Sequence, residues 1–251
     1  MIVSKKFVPS LFTILNAFCG LMSIINASNG LYEQACYFIV YASLFDAIDG
    51  LAARITKSSS EFGVELDSLS DVVSFGVAPS FLLYAIHFKN YNGIGMFVAA
   101  MVMAFSAIRL ARFNISLSGF DKDKFTGLPT PATAITIISY LLYYHDKIFS
   151  NATSDIAIFI LTIGLSLLMV SKFKYPTLPR FSSRSVKEHP VEYIILIIAV
   201  LIGIYTKGEA VFFLLLLYIM TGIILTFYNM IFRRRISERN IKAASRPRKK
   251  F

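Results

Sequence analysis

Apolar runs about as long as a bilayer-spanning helix alternate along this chain with short polar segments. An α-helix needs about 20 predominantly apolar residues to cross the hydrocarbon core of a membrane. By that criterion the sequence predicts about eight spans, at 9–28, 32–53, 66–88, 93–113, 131–146, 154–171, 190–206 and 209–232. We therefore expect an all-α fold, a polytopic transmembrane helical bundle, with no room for a separate soluble domain.

The composition agrees with a membrane protein. Of the 251 residues, 56% are hydrophobic and 16% are charged, whereas a soluble domain has about 25% charged residues. The 23 Phe and 13 Tyr are expected at lipid-facing and interfacial positions. The first apolar run is longer than the apolar core of a secretory signal peptide, so we interpret it as a retained helix.

Positive charge is distributed unevenly between the two ends of the predicted spans. If the N-terminus is cytoplasmic, Lys89, Lys147 and Lys207 are the only three of the 25 Lys and Arg residues that fall outside. Cytoplasmic loops of membrane proteins are enriched in Lys and Arg. The sequence thus predicts a multi-pass protein of the cell membrane with both termini in the cytoplasm. Attraction to anionic lipid accounts for the net charge of +10, and no nucleic-acid partner is required.

The stretch DAIDGLAARITKSSSEFGVELDSLSD, residues 46–71, places four aspartates near the predicted cytoplasmic ends of the second and third helices. Asp46 and Asp49 are three residues apart, and Asp67 and Asp71 are four apart, so each pair shares one helix face. The intervening loop is short, which makes the two helices neighbours. Four clustered carboxylates repel one another and need cations, and Mg²⁺ or Mn²⁺ prefers oxygen ligands. The pattern predicts a cytoplasm-facing two-metal site for phosphoryl chemistry.

The spacing of this stretch, D-x2-D-G-x2-A-R-x8-G-x3-D-x3-D, resembles the signature of the CDP-alcohol phosphotransferase family without departure. The matching residues are Asp46, Asp49, Gly50, Ala53, Arg54, Gly63, Asp67 and Asp71. The resemblance implies a membrane enzyme with two divalent metal ions, which transfers a substituted phosphate from a CDP-linked donor to an alcohol and releases CMP. It implies that all four aspartates bind metal and that Asp71 is also the catalytic base. It further implies that the CDP-binding residues include Asp49, Gly50, Ala53, Arg54, Gly63 and Asp67.

Three more polar residues are candidates for CDP binding, and each has a structural alternative. Ser60 could bond a phosphate or cap the third helix. Thr13 and Asn16 lie about one turn apart in the first helix, and they could contact the nucleotide or form interhelical hydrogen bonds. The implied roles of two signature residues suit their chemistry, because Gly50 has no side chain to block a cytidine ring and Arg54 offers a fork of donors to phosphate.

The acceptor alcohol must be inferred from other stretches. RLARFN (109–114), GLPTPA (127–132) and FKYPT (173–177), with VPSLFTILNAFCG near the start, resemble the bacterial and archaeal phosphatidylserine synthases of the family. The likeness extends from residue 8 to about residue 178. It implies that the substrates are CDP-diacylglycerol and L-serine, and that the protein is a homodimer.

Arg109, Arg112 and Thr130 are the candidate acceptor-binding residues. Serine is a zwitterion whose carboxylate needs a cation, and the two arginines share one face at the end of the fourth predicted helix. They could equally extend to lipid headgroups, as positive residues at membrane interfaces commonly do. An acceptor with a phosphate, such as glycerol 3-phosphate or inositol phosphate, would also use arginine, so the pair alone does not identify the alcohol.

The predicted organisation has three parts. Residues 1–188 form a six-helix catalytic membrane core, and residues 189–232 form two additional transmembrane helices to which we assign no chemistry. Residues 233–251 form a basic cytoplasmic tail. A function of a different class also stays open, since intramembrane aspartates are typical of cation-coupled transporters.

Overall fold

The computed structural model describes residues 7–56, 60–117, 127–145, 151–175 and 190–244, and within these ranges the chain is helical apart from turns and short connections. The all-α prediction is confirmed. The helices are α1 (Phe7–Ser28), α2 (Tyr32–Thr56), α3 (Glu61–Asp71), α4 (Ala78–Ile86), α5 (Asn92–Leu117), α6 (Thr130–Tyr143), α7 (Asn151–Val170), α8 (Pro190–Tyr205) and α9 (Val211–Ala244). A π-helical segment, Val72–Val77, joins α3 to α4 without a break, and a 3-10 turn, Phe88–Tyr91, precedes α5.

Among the described residues, six helical stretches are long and apolar enough to cross a membrane. They are Pro9–Ser28, Tyr32–Thr56, Glu61–Ile86, Phe88–Ser116, Thr153–Val170 and Val211–Tyr228. The fifth and seventh predicted spans correspond to shorter apolar helices, Thr130–Tyr143 and Tyr193–Tyr205. Every predicted span therefore coincides with a helix, although within the described ranges only six of these helices reach the length of a full crossing.

The helix α6 is short because it begins at a tight turn and lies inside the bundle. Gly127 has a φ of 101°, and a Cβ at this position would overlap the carbonyl oxygen of Met169, so glycine is required there. Pro131 stands within the first turn of α6, where a missing N–H costs nothing. Most of the helix is buried, Thr133 and Ile137 completely. Neighbouring helices therefore cover α6 on most of its surface.

Small residues let α1 pack closely against its neighbours. The helices α1 and α2 form a hairpin in which Ala27, Ala35 and Cys36 are buried. On another side of α1, a Cβ at Gly20 would lie 2.8 Å from the Cα of Ser74. Such close approach is how helices associate in a membrane, where lipid is as apolar as the side chains and burial alone gives little driving force.

The outward faces of several helices are apolar. In α8, the side chains of Ile195, Leu201 and Ile204 are 61%, 59% and 70% exposed. Exposed apolar surface on this scale is unfavourable in water and is normal where lipid covers it. The length and apolar surface of the helices agree with a multi-pass membrane protein.

A polar cluster with a buried pair of histidines joins α4, α6 and α7 at one end of the bundle. The Nδ1 atom of His87 lies 3.6 Å from Oδ1 of Asp155, and Nδ1 of His145 lies 2.8 Å from Oγ of Ser154. The two imidazole rings meet edge to face at 5.4 Å between centroids. Because His87 follows Asp67 by about 30 Å of helix, this cluster is far from the aspartates and serves to hold the helices together.

The last helix continues beyond the predicted end of the eighth span. The eighth span was expected to end at residue 232, with a basic tail after it, but α9 runs to Ala244. The first part of the predicted tail is therefore helical, and residues 245–251 lie outside the described part of the chain. Lys and Arg have high helix propensity, which allows the helix to extend beyond the apolar stretch.

Candidate active site

The four aspartates are carried by the hairpin of α2 and α3. Asp46 and Asp49 lie in the last three turns of α2, and Asp67 and Asp71 lie in the second half of α3. Ser60 begins α3 as its N-cap, since its Oγ accepts a hydrogen bond of 3.1 Å from the backbone N–H of Gly63. The capping alternative for Ser60 is thus confirmed.

Three of the four carboxylates converge. One oxygen atom from each of Asp46, Asp67 and Asp71 lies within 4.8 Å of the other two. The Oδ1 atom of Asp67 is buried and has no hydrogen-bond partner among the described residues. Negative charges so close together repel strongly, and a buried carboxylate oxygen without a donor is costly. The three residues fit a hard divalent cation, which binds carboxylate oxygens and removes both costs.

Asp49 stands beside this group and is held by the first helix. Thr13 donates a hydrogen bond of 2.5 Å from Oγ1 to Oδ2 of Asp49, and the Asp49 side chain is buried. Asp49 lies within electrostatic range of Asp46, Asp67 and Asp71. The structure therefore keeps all four carboxylates in one region but brings only three of them to a common point.

The amide of Asn16 fixes the fourth aspartate of the signature. Its Nδ2 donates to Oδ1 of Asp71 at 3.2 Å, and the Asn16 side chain is completely buried. Ser74 in turn donates from Oγ to the backbone carbonyl of Asn16 at 2.8 Å. Thr13 and Asn16 both form interhelical hydrogen bonds, and the sequence did not indicate that their partners are the aspartates themselves.

The helix changes its winding directly after Asp71. In the π-helical segment the N–H of Ala78 bonds the carbonyl of Val73, five residues earlier, instead of four. Pro79 has no N–H to offer Phe75, which removes one competing α-helical bond. π-Helical turns occur often at functional sites. A proline soon after a glycine, here Pro79 after Gly76, is the only sequence signal of this feature.

The exposed side of α2 beside the aspartates is open. A Cβ at Gly50 would have only the Nη2 atom of Arg54 near it, at 3.8 Å. Ala53 is half-buried, and Arg54 is exposed in the last turn of the helix. Gly63 has a second reason to be glycine, because a Cβ there would lie 3.2 Å from the capping oxygen of Ser60. The face of Gly50 and Ala53 leaves room for a flat ligand next to a cationic side chain.

The two candidate arginines have different surroundings. Arg109 is buried, donates from Nη1 to Oγ1 of Thr130 at 3.5 Å, and lies within electrostatic range of Asp71. Arg112 is exposed, and its Nη1 donates to the carbonyl of Val170 at 2.8 Å. The structure therefore brings Arg109 and Thr130 together beside the aspartates. It directs Arg112 to the C-terminus of α7, where cations are favourable.

Two connecting segments lie against each other next to Arg109. The N–H of Gly127 donates to the carbonyl of Phe173 at 2.8 Å, and the N–H of Leu128 donates to the carbonyl of Leu168 at 3.0 Å. These bonds join the start of α6 to the end of α7. The start of the GLPTP stretch and Phe173 of the FKYPT stretch, which are far apart in sequence, consequently lie side by side, and residues 176 and 177 of FKYPT lie outside the described part of the chain.

Comparisons with known proteins agree with this geometry. A family model described as CDP-alcohol phosphatidyltransferase matches residues 6–170. A protein of Helicobacter pylori named CDP-diacylglycerol--serine O-phosphatidyltransferase is 36% identical over 223 residues, which cover 89% of this chain and 92% of the relative.

An archaetidylserine synthase of Methanothermobacter thermautotrophicus is 39% identical over 172 residues, covering 67% of this chain and 69% of the relative. A CDP-diacylglycerol--serine O-phosphatidyltransferase of Bacillus subtilis is 34% identical over 182 residues. That alignment takes in 97% of the Bacillus protein but only 72% of this chain, so this relative is shorter.

Proposed function

Because the chain belongs to the CDP-alcohol phosphatidyltransferase family, we propose that it transfers the phosphatidyl group of CDP-diacylglycerol to L-serine. The products are phosphatidylserine and CMP, and the reaction belongs to phospholipid biosynthesis. The convergence of three carboxylates beside the buried Arg109 is the observation that carries the chemistry. The names of relatives that match most of the chain, such as the Helicobacter pylori protein, support serine as the acceptor.

Asp46, Asp49, Asp67 and Asp71 are proposed to hold two divalent metal ions, Mg²⁺ or Mn²⁺. When bound, the ions would polarise the diphosphate and stabilise negative charge on the departing CMP. The orphaned Oδ1 of Asp67 and the mutual proximity of the three carboxylates support this assignment. Thr13 and Asn16 would keep Asp49 and Asp71 oriented when the metals dissociate.

The donor nucleotide is proposed to lie along α2. The open surface at Gly50 and Ala53 would accept the cytidine, and Arg54 would bind the diphosphate. Ser60 and Gly63 shape the start of α3 opposite this surface, and the Ser60 hydroxyl retains a proton to donate to a phosphate. The acyl chains would stay in the bilayer while the headgroup reaches the aspartates.

Asp71 is proposed as the general base toward the acceptor hydroxyl. A serine hydroxyl has too high a pKa to ionise unaided, and a neighbouring carboxylate can take its proton as attack proceeds. The serine oxygen forms a bond to the lipid-linked phosphorus, the bond from that phosphorus to the CMP oxygen breaks, and Asp71 receives the proton. The hydrogen bond from Asn16 leaves the second oxygen of Asp71 free for this role.

Arg109 and Thr130 are proposed to bind the acceptor, with Arg109 pairing with the serine carboxylate. Burial of Arg109 in electrostatic range of Asp71 supports this role. Arg112 was expected to share it, but its hydrogen bond to Val170 favours a structural role instead. Glycerol 3-phosphate and inositol phosphate are the alternative acceptors, because arginine also binds phosphate.

The cellular setting follows from charge and resemblance. We propose that both termini and the aspartates face the cytoplasm, since Lys and Arg are concentrated at that side of the spans. Maleimide labelling of Asn29→Cys and Arg54→Cys variants in intact cells would test this, with only Asn29→Cys labelled. A homodimer is proposed by resemblance to the family, and the mass of the purified complex would check it.

The decisive experiment measures CMP release by the purified protein from CDP-diacylglycerol. L-Serine, glycerol 3-phosphate and inositol phosphate are supplied side by side, each with Mg²⁺ or Mn²⁺ and after treatment with a chelator. We expect metal-dependent CMP release with serine and almost none with the other two. Preference for another alcohol would reject serine alone. Absence of CMP release with every acceptor would reject the enzyme and favour a cation-coupled transporter.

A further inference from the structure

The last helix reaches the acceptor side of the site, although it lies beyond the residues that the family model matches. Tyr218 of α9 is half-buried and lies within electrostatic range of Arg109. The sequence interpretation placed tyrosines at lipid-facing and interfacial positions and gave no chemistry to this helix. The structure instead leaves Tyr218 half-buried and near Arg109.

Tyr175, from the FKYPT stretch, is fixed next to Tyr218. The two rings lie 5.7 Å apart between centroids, at an angle of 41°. A Cβ at Gly222, one turn after Tyr218, would overlap the ring of Tyr175, so this glycine provides a notch that receives the ring. The N–H of Lys174 also donates to Oγ1 of Thr226 at 3.0 Å. The helix α9 therefore determines where Tyr175 points.

The hydroxyl oxygen of Tyr175 is buried and has no hydrogen-bond partner among the described residues. A buried hydroxyl without a partner destabilises a protein unless a ligand or water completes it. Burial, together with the nearby Tyr218, raises the pKa of Tyr175 to about 12, so this hydroxyl keeps its proton and can donate.

We propose that Tyr175 and Tyr218 are specificity-determining residues of the acceptor site, with the Tyr175 hydroxyl donating to the carboxylate that Arg109 binds. The ligand class is a zwitterionic amino acid that carries a free hydroxyl. This inference rests on the proposed function and extends it, since it assigns part of serine recognition to α9. A phenol donor and a guanidinium group together match the two oxygens of one carboxylate.

The same contacts are compatible with a purely structural role, in which the two tyrosines only pack α9 onto the bundle. The shorter Bacillus subtilis relative, which is also named as a serine O-phosphatidyltransferase, suggests that a chain of smaller length suffices for the chemistry. The proposal therefore predicts an effect on the binding of serine and not on the catalytic step.

The test uses Tyr175→Phe and Tyr218→Phe, which remove a hydroxyl and keep the ring in its notch. For Tyr175→Phe we expect the KM for L-serine to rise about tenfold or more, the loss typical of a hydrogen bond to a charged group. Tyr218→Phe should also raise the KM for L-serine. The kcat and the KM for CDP-diacylglycerol should stay within about twofold, as expected when only binding of one substrate is weakened. Tyr205→Phe removes an exposed hydroxyl from the end of α8 and serves as the matched control.

A second arm identifies the contacted group by replacing L-serine with ethanolamine, which keeps the hydroxyl and ammonium groups but has no carboxylate. The wild type should discriminate strongly between the two acceptors, and Tyr175→Phe should narrow the ratio of their kcat/KM values by about tenfold, because ethanolamine has no carboxylate oxygen that could accept the lost hydrogen bond. Unchanged serine KM and unchanged discrimination, in variants that are as active as the wild type, would overturn this inference and leave the proposed function intact. If the wild-type protein releases no CMP with serine, both the proposed function and this inference are rejected.

Discussion

The proposed donor side and the proposed acceptor side of this site are built in different ways. On the donor side, every signature residue from Asp46 to Asp71 belongs to one helical hairpin. On the acceptor side, Arg109, Thr130 and Tyr175 come from α5, from the start of α6 and from the segment after α7. The donor side is thus defined by local spacing, whereas the acceptor side exists only after the helices have packed. An acceptor can therefore be exchanged through changes in packing while the donor chemistry is kept.

The strongest test of this contrast is the loss of the base. Asp71→Asn should lower kcat by about 10³-fold or more, because the carboxylate proposed to take the proton of the acceptor is lost. Binding of CDP-diacylglycerol should stay measurable. Asp46→Asn should instead weaken donor binding and the response to metal together. Equal residual turnover and equal donor binding in the two variants would contradict the separate roles.

On the acceptor side the matched pair is Arg109 and Arg112. Arg109→Gln should lower kcat/KM for serine by about a hundredfold, as loss of one partner of a buried charged pair does, with donor KM unchanged. Arg112→Gln should cost less than about fivefold, since it removes an exposed contact with the end of α7. Steady-state kinetics, in which the concentration of each substrate is varied in turn, would measure these changes in kcat and KM. Similar losses of kcat/KM in both variants would indicate that Arg112 also binds the acceptor.

The contacts from α1 give an intermediate effect. Asn16→Leu should lower kcat about tenfold, because Asp71 loses the donor that orients it, a usual cost for the residues that support metal ligands. Ser23→Ala, on the same helix, removes a buried oxygen that has no partner among the described residues and should leave kcat unchanged. If the two variants behave alike, α1 is only a packing element.

The smallest effect should come from the N-cap of α3. Ser60→Ala should reduce the free energy of unfolding by about 1 kcal/mol through loss of the cap, and Ser60→Thr should restore most of it. Thermal unfolding in detergent measures this change. A tenfold or larger rise in the KM for CDP-diacylglycerol, with unfolding unaltered, would show instead that Ser60 acts on the donor phosphate.

The features that follow from hydrophobic periodicity or from local residue spacing were predictable from the sequence. Each predicted apolar run coincides with a helix in the described part of the chain, and the spacing of Asp46, Asp67 and Asp71 anticipated their convergence. The fifth predicted span, 131–146, was already shorter than the others, but the need for glycine at position 127 was not predictable, because it depends on the approach of the Met169 carbonyl. The same reason applies to the partners of Thr13 and Asn16 and to the position of Tyr218, which follow from tertiary packing.

The π-helical segment after Asp71 has a consequence for the rod formed by α3 and α4. Each residue advances an α-helix by about 100°, and a π-helical turn holds one residue more than an α-helical turn. Before Val72, the rotation of the helix about its axis is the one that brings the carboxylates together. After Val77, the rotation is the one that buries Leu82 in the core. The wider turn allows both rotations within one continuous helical rod. Deleting a single residue within 72–77 would regularise the hydrogen bonds and rotate one end of the rod out of phase with the other.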